Sequence, residues 1–396
     1  MFHFRKKTTY LDYASATPLD RTMWRRYQPL PATVLAANPG ALHQDGVRAK
    51  RALEAARASV ACDVGAHADE IIFTSGATES NTLALIGAAE QLAAAGMQYE
   101  DLHIITTALE HKTVSVAAQL LLARGAHVSV LQLDERGIID PKKLRTLFTQ
   151  KTTIVSCVYV SSDIGTIQPI REIAKEIREW KKTHPDQTIL FHVDATQAVT
   201  SCLLNVEQLH VDLMTLGSTK LYCPRGVGVL FKRRGVGLKP VHAGGSQEFG
   251  LRPGTEPLDI IHRFAYALHY ARSIQKQESE RLTVLQTYFE TELCGLLPTL
   301  RISGEGAPRV PFITHAVIPE IDSELLVLEL DARGILVSSK SACMNDEPGA
   351  SGIVEQLYGT ATLGAVRFSF GRQTKKAELV RAIEAFGAVL KKYGKI

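Results

Sequence analysis

Long hydrophobic runs are missing from this 396-residue chain. No stretch approaches the roughly 18 uncharged apolar residues that read as a membrane-crossing helix. The segment LALIGAAEQLAAAG is interrupted by Glu90 and reads as a core helix. The N-terminal MFHFRKKTTYLDY has no apolar run of the kind a signal peptide needs. Cysteine is scarce. Its six residues, at 62, 157, 202, 223, 294 and 343, form no C-x-x-C, and no histidine pair has zinc-site spacing. Several lie in apolar strand-like runs such as VSCVYV, so reduced, mostly buried thiols in a cytoplasmic protein are expected, with no membrane partner. Charge of one sign is also lacking. The 45 Lys and Arg against 41 Asp and Glu leave a formal charge of +4. The densest basic stretches, KRRGVGLK and KKYGK, are short and read as solvated surface, which gives no case for a nucleic-acid partner. There are no repeats, low-complexity segments or long linkers. The length allows two domains with substantial cores.

Present instead is an alternation of short β-branched runs with helical patterns. Seven strand candidates run through the middle of the chain: EIIFTS, LHIITT, HVSVLQL, TTIVSCVYV, ILFHVDA, VDLMTLGS and VGVLFK. Helical stretches separate several of them: SNTLALIGAAEQLAAAG, HKTVSVAAQLLLARG, PKKLRTLFTQ and REIAKEIREWKK. The pattern predicts an α/β fold around a mostly parallel seven-stranded sheet. The strands are near-continuously apolar, as expected when helices bury both faces. After Pro257 one long helical region, then short strands and a last helix, predict a smaller α+β domain. The expected division is residues 15–262 for the large domain, with 1–14 and 263–396 forming the small one.

Ligands of open α/β sheets bind beyond the carboxyl ends of the strands, and four loops there carry chemistry. In FTSGATESN a strand ends and Ala77-Thr78-Glu79 opens a helix, whose free N–H groups suit a phosphate. A simple N-cap with a capping-box-like Glu79 accounts for it equally. In FHVDATQ, His192 and Asp194 share a strand face and Gln197 follows. Asp194 suits a cationic ring nitrogen, while a metal site or a hydrogen-bonded strand end are the other readings. In LGSTKLYCPRG, Lys220 directly follows a strand, and a lysine held between strands loses hydration, which favours Schiff-base chemistry. A solvated lysine is the bland reading. In TALEHKTV, His111 lies where a strand gives way to a helix, as a cap or as an aromatic to stack on a ring. Together they meet the requirements of pyridoxal 5′-phosphate: a phosphate cradle, an acid for the ring nitrogen, a lysine and a stacking aromatic.

YLDYASATPLD, NPGALHQDG, EIIFTSGATESN, EHK, HVDATQ, GGSQEFGLRPGTE, SSKSAC and RFSFGR follow one another in an order that resembles the cysteine desulfurases of the class V aminotransferase-like family. The resemblance runs nearly end to end. It implies fold type I, with pyridoxal 5′-phosphate held by Lys220, its ring nitrogen paired with Asp194 and its phenolic oxygen bonded to Gln197. His111 would stack on the ring and act as an acid/base. Ala77, Thr78, Ser218 and Thr219 would meet the phosphate, and Thr255 the phosphate of the partner subunit in a homodimer. Arg367, assisted by Asn38, would grip the carboxylate of the substrate L-cysteine. Cys343, in the longer-loop branch of the family, would take the sulfur as a persulfide, on a mobile loop able to reach a sulfur-acceptor protein of the iron–sulfur scaffold or tRNA-thiolation type.

The chain departs from the family's pattern at several positions. Ser162 stands where Asn is usual, so its contact to the cofactor oxygen or the substrate carboxylate would be shortened; Thr219 stands where His is usual, and Ser218 is displaced by one from the usual serine. Lys340 and Cys223 replace glycines. Lys340 is either a solvated loop charge or a cation that lowers the Cys343 thiol pKa or contacts an acidic acceptor. A selenocysteine lyase-like enzyme, or a catalytically impaired paralogue serving as a partner-binding scaffold, are the alternatives to an active desulfurase.

Overall fold

Residues 8–319, 321–339, 352–359 and 363–396 are described by the computed structural model. The strands in chain order are β1 (Thr9–Tyr10), β2 (Ile71–Thr74), β3 (His103–Thr107), β4 (His127–Leu131), β5 (Thr152–Val158) and β6 (Leu190–Asp194). They continue as β7 (Leu213–Gly217), β8 (Gly228–Lys232), β9 (Arg301–Ile302), β10 (Ile313–Pro319), β11 (Ile335–Leu336) and β12 (Leu363–Ser369). All seven expected strands join one sheet in the order β2-β8-β7-β6-β5-β3-β4. The pairs β7–β6, β6–β5, β5–β3 and β3–β4 are parallel, whereas β8 runs antiparallel to both β7 and β2. Every residue of β2, β3, β5, β6 and β7 is buried, as their unbroken apolar character predicts.

Helices cover the sheet as the alternation predicts, at Ala77–Ala94, Lys112–Ala123, Pro141–Leu147 and Ile170–Thr183. The last is strongly amphipathic. It buries Ile170, Ile173, Ala174 and Ile177 and leaves its Lys, Arg and Glu residues to solvent or half-buried. The long helical region after Pro257 is two helices, Leu258–Ser273 and Gln275–Leu296, which meet at Ile274. A 21-residue helix, Gln44–Val64, has no counterpart in the expected elements. Its buried stripe is largely Ala49, Ala56 and Ala61 beside Leu53, Val60 and Val64, too weak an apolar period to stand out among arginines. It packs on Leu258–Ser273 and stops at Gly65, whose φ of 70° makes the left-handed cap that glycine adopts without strain.

A smaller antiparallel sheet, β12-β10-β9, follows, backed by the helices Gln275–Leu296 and Ser323–Asp331. The N-terminal β1 pairs in parallel with β11, joining the start of the chain to its last third. Among the described residues no helix is long and apolar enough to cross a membrane.

A buried ion pair ties the GGSQEFGLRPGTE loop to this frame. Arg57 Nη1 and Nη2 each donate to Glu248 at 2.7 Å, with side chains 2% and 1% exposed. Arg57 also donates to Ile71 O, and Phe73 N donates to Glu248 Oε2, both at 2.7 Å. The pair thereby holds Glu248 and Phe249 at positive φ, 46° and 59°. Glu248→Ala leaves the buried guanidinium with only the exposed Glu54 carboxylate, 3.2 Å from Nε, and is expected to cost about 3 kcal/mol in denaturant unfolding. An unchanged midpoint and slope would show that the loop needs no such tie.

Candidate active site

The carboxyl ends of β5, β6 and β7 open on a cavity of about 490 Å³. Its lining brings together Ala77, Thr78, His111, Ser162, Asp194, Gln197, Ser218, Thr219, Lys220 and Arg367. Ten of the expected site residues thus share one hollow, although they come from six separate stretches of chain. Asn38 and Thr255 do not line it. Asn38 is exposed and its Oδ1 accepts from Gly40 N at 2.8 Å. Thr255 is exposed on a neighbouring depression that shares Ser75 with the cavity. Cys343 and Lys340 lie outside the described residues.

Each position follows from local structure. Ala77 and Thr78 open an 18-residue helix whose N-cap is Gly76, so no side chain caps its first turn. The turn is pressed against β8: a Cβ on Gly228 would stand 2.5 Å from Gly76 C, and only glycine permits that approach. Asp194 ends β6, 4% exposed. Its Oδ1 accepts from Thr196 N at 2.9 Å and its Oδ2 from Asn81 Nδ2 at 2.8 Å. Lys220 closes the tight turn Ser218–Lys220 after β7 and its Nζ donates to Ser15 O at 2.5 Å. Gln197 Nε2 donates to Ala14 O at 2.8 Å, so the YLDYASATPLD segment forms one wall of the site.

Arg367 projects from β12 and is 1% exposed. Nη2 donates to Asp12 Oδ1 at 3.0 Å and Ser15 Oγ at 2.7 Å, and Nη1 donates to Ser162 O at 2.9 Å. Asp163 Oδ1 lies 3.6 Å from Nη1. Two carboxylates therefore orient the guanidinium. The motif containing Asp12 is readable in the sequence, but the partnerships of Asp12 and Asp163 with Arg367 span 355 and 204 positions and carry no local signal.

Burial controls the titrating groups nearby. Glu110 is pushed up to about 8 by burial, with Asp194 adding to the effect. Burial lowers His192 to about 4 and His315 to about 3, the latter with help from Arg367. His192 is engaged at both nitrogens, by Ser156 Oγ at 2.8 Å and Thr215 Oγ1 at 3.1 Å. It braces β6 against its neighbours and is not disposed as a metal ligand. Among the described residues no group of three or more His, Cys, Asp or Glu could hold a metal ion.

A pH dependence of stability follows. Both histidines stay neutral in the fold, while the unfolded chain takes up protons below about pH 6.5. Stability is therefore expected to fall as the pH drops from about 6.5 toward 4, by up to ~1.4 kcal/mol per unit for each histidine. Glu110 acts in the opposite sense, since its raised value costs stability as the pH rises from its ordinary 4.5 toward about 8. Melting curves of His315→Gln should lose one proton's worth of the acid-side slope; an unchanged slope would contradict this.

The residues fit pyridoxal phosphate. An uncapped helix N-terminus suits its phosphate, and a buried carboxylate held by two N–H donors suits its ring nitrogen. Two lining atoms, Thr196 Oγ1 and Arg367 Nε, are buried without a hydrogen-bond partner among the described residues. Polar atoms of that kind mark a place for a polar ligand.

Fold and cavity together define a class-V aminotransferase-like enzyme, and the chain belongs to that family, whose model matches residues 9–381. A cysteine desulfurase IscS from Dictyoglomus turgidum is 34% identical over 389 residues, covering 98% of this chain and 95% of that protein. The structure of a NifS-like protein superposes with a TM-score of 0.86 at 26% identity, covering 97% of this chain and 100% of that one. SspA, solved in complex with cysteine, gives 0.77 at 27% identity over 92% and 99% of the two chains. Within the family, the chain is a cysteine desulfurase.

Proposed function

We propose that the cavity binds pyridoxal 5′-phosphate and L-cysteine, and that sulfur passes to Cys343 as a persulfide while L-alanine is released. The observation that carries this reading is the convergence of Lys220, Asp194, His111 and Arg367 on one hollow. Lys220 would hold the cofactor, Asp194 and Gln197 its ring, and Ala77, Thr78, Ser218 and Thr219 its phosphate. Bound there, the cofactor supplies an electron sink for negative charge at the substrate Cα.

The chain's own groups do the rest. Arg367, already oriented by Asp12 and Asp163, offers its guanidinium to the substrate carboxylate. Lys220 moves the Cα proton. The Cys343 thiolate attacks the substrate sulfur. The S–S bond forms as the C–S bond breaks, and the bonding pair stays with the carbon fragment, which takes up a proton and leaves as alanine. Backbone bonds between Ser338 and Arg367, at 2.6 and 3.3 Å, anchor the chain five residues before Cys343.

The same reading extends to the assembly. Thr255, exposed beside Ser75, is available to a second copy, in keeping with a homodimer. The seven-stranded sheet falls within residues 15–262, and the pairing of β1 with β11 supports grouping 1–14 with 263–396. The free thiols of Cys62, Cys157, Cys202, Cys223 and Cys294 suit the reducing cytoplasm. The sulfur would pass on to an acceptor protein, of the iron–sulfur scaffold or tRNA-thiolation type.

The test is direct. The purified protein with added cofactor should be yellow and should convert L-cysteine to equal amounts of alanine and, with a thiol reductant, sulfide. A colourless protein that makes neither would refute the reading. At the phosphate end, Thr219 supplies a neutral hydroxyl where the family's histidine adds a charge-assisted bond. Thr219→His is expected to tighten cofactor binding about tenfold, the equivalent of ~1.5 kcal/mol, in equilibrium dialysis. Unchanged affinity would mean the position is silent.

A further inference from the structure

Two side chains absent from the expected site join its carboxylate to its histidine. Asn81, on the helix Ala77–Ala94, is fully buried. Its Nδ2 donates to Asp194 Oδ2 at 2.8 Å and to Thr113 Oγ1 at 2.8 Å. Thr113 Oγ1 lies 3.0 Å from His111 Nδ1, and Thr113 N donates to the same nitrogen at 3.2 Å.

The hydrogens available fix the direction of every bond. A carboxylate oxygen only accepts, so the Asn81 atom facing Asp194 is the amide nitrogen. Turning the amide over would set its carbonyl oxygen against Asp194 Oδ2. The amide has two hydrogens, one for Asp194 and one for Thr113 Oγ1. That hydroxyl oxygen accepts from Asn81, and because the Thr113 backbone N–H already donates to His111 Nδ1, the hydroxyl meets that nitrogen with its own hydrogen. The Thr113 backbone N–H can only donate. Nδ1 thus faces two donors and must carry the lone pair, so the ring proton of neutral His111 sits on Nε2.

We propose that Asn81 and Thr113 are positioning residues that hold His111 as its Nε2–H tautomer through a hydrogen-bonded relay beginning at Asp194. The inference rests on reading Asp194 and His111 as the groups that face the cofactor. His111 then serves the cavity as a neutral hydrogen-bond donor at Nε2. It has no lone pair there with which to take a proton, and its basic nitrogen is turned into the first turn of the helix Lys112–Ala123. Proton abstraction accordingly falls to Lys220 alone.

The test is long-range ¹H–¹⁵N NMR of the holoenzyme labelled in histidine, with the His111 signals assigned by their loss in His111→Gln. Nδ1 should appear unprotonated and Nε2 protonated. Thr113→Val removes the hydroxyl from the relay but keeps the backbone donor, and should give a mixed tautomer spectrum. It should also lower kcat about tenfold with little change in KM, as one lost hydrogen bond predicts. Thr113→Ser should restore both. A wild-type spectrum with the proton on Nδ1 would overturn the proposal, as would Thr113→Val with an unaltered spectrum and kcat. If Thr113→Val does not fold, the wild-type spectrum decides alone. The spectrum reads the tautomer whether or not L-cysteine is turned over, so failure of the relay and failure of the desulfurase reading are separate results.

Discussion

Replacing Lys220 by alanine is expected to abolish alanine formation from L-cysteine, with a loss of at least about a thousandfold. In the proposed reaction Lys220 has two jobs: to hold the cofactor and to move the Cα proton. No other lysine lines the cavity among the described residues. The proposed relay through Thr113 would also leave His111 without a basic nitrogen facing the substrate, so it would not stand in. The fold should tolerate the change, because Lys220 sits in a short turn anchored by backbone bonds of Ser218 and Leu221. Stopped-flow and steady-state assays of alanine, on protein shown by circular dichroism to be folded, provide the measurement. Residual turnover within about tenfold of the parent would take the proton-transfer role away from Lys220.

The second large effect is expected at Arg367. Arg367→Lys keeps a cation for Asp12 and Asp163, so the charge balance of the wall is retained. A single ammonium cannot present parallel N–H groups to a carboxylate, however. The value of kcat/KM for L-cysteine should fall about a hundredfold, equivalent to ~3 kcal/mol of charge-assisted bonding. Cysteamine, which lacks the carboxylate, should react with parent and variant at the same rate. A parallel loss with cysteamine would mean that the substitution damages the site in general and not carboxylate recognition.

How much of this was legible in the sequence varies with how local the cause is. Five of the seven sheet strands were legible because every residue in them is buried, so each reads as a near-continuous apolar run. The helix Gln44–Val64 was not, since three alanines and a glycine make up half of its eight buried positions and arginines interrupt it. Nor was the break at Ile274, where no glycine or proline marks the end of one helix and the start of the next. At the site, Lys220, Asp194 and His111 stood out because they directly follow or end strands, where α/β ligands gather. Their supports did not. Asn81 reaches Asp194 across 113 positions and Asp12 reaches Arg367 across 355, and such partnerships exist only once the sheet has assembled. The signal that could have pointed to Asn81 is the motif that contains it, FTSGATESN, whose last residue lies one helical turn beyond Ala77.

Cys343, in the SSKSAC segment, carries the central claim. Mass spectrometry of the holoenzyme after a single turnover with L-cysteine, without reductant, tests that claim most directly. The account predicts one added sulfur atom on the peptide containing Cys343, released by dithiothreitol and absent from Cys343→Ser. Sulfur found on another cysteine, or a Cys343→Ser variant that releases alanine and sulfide at the parent rate, would contradict it.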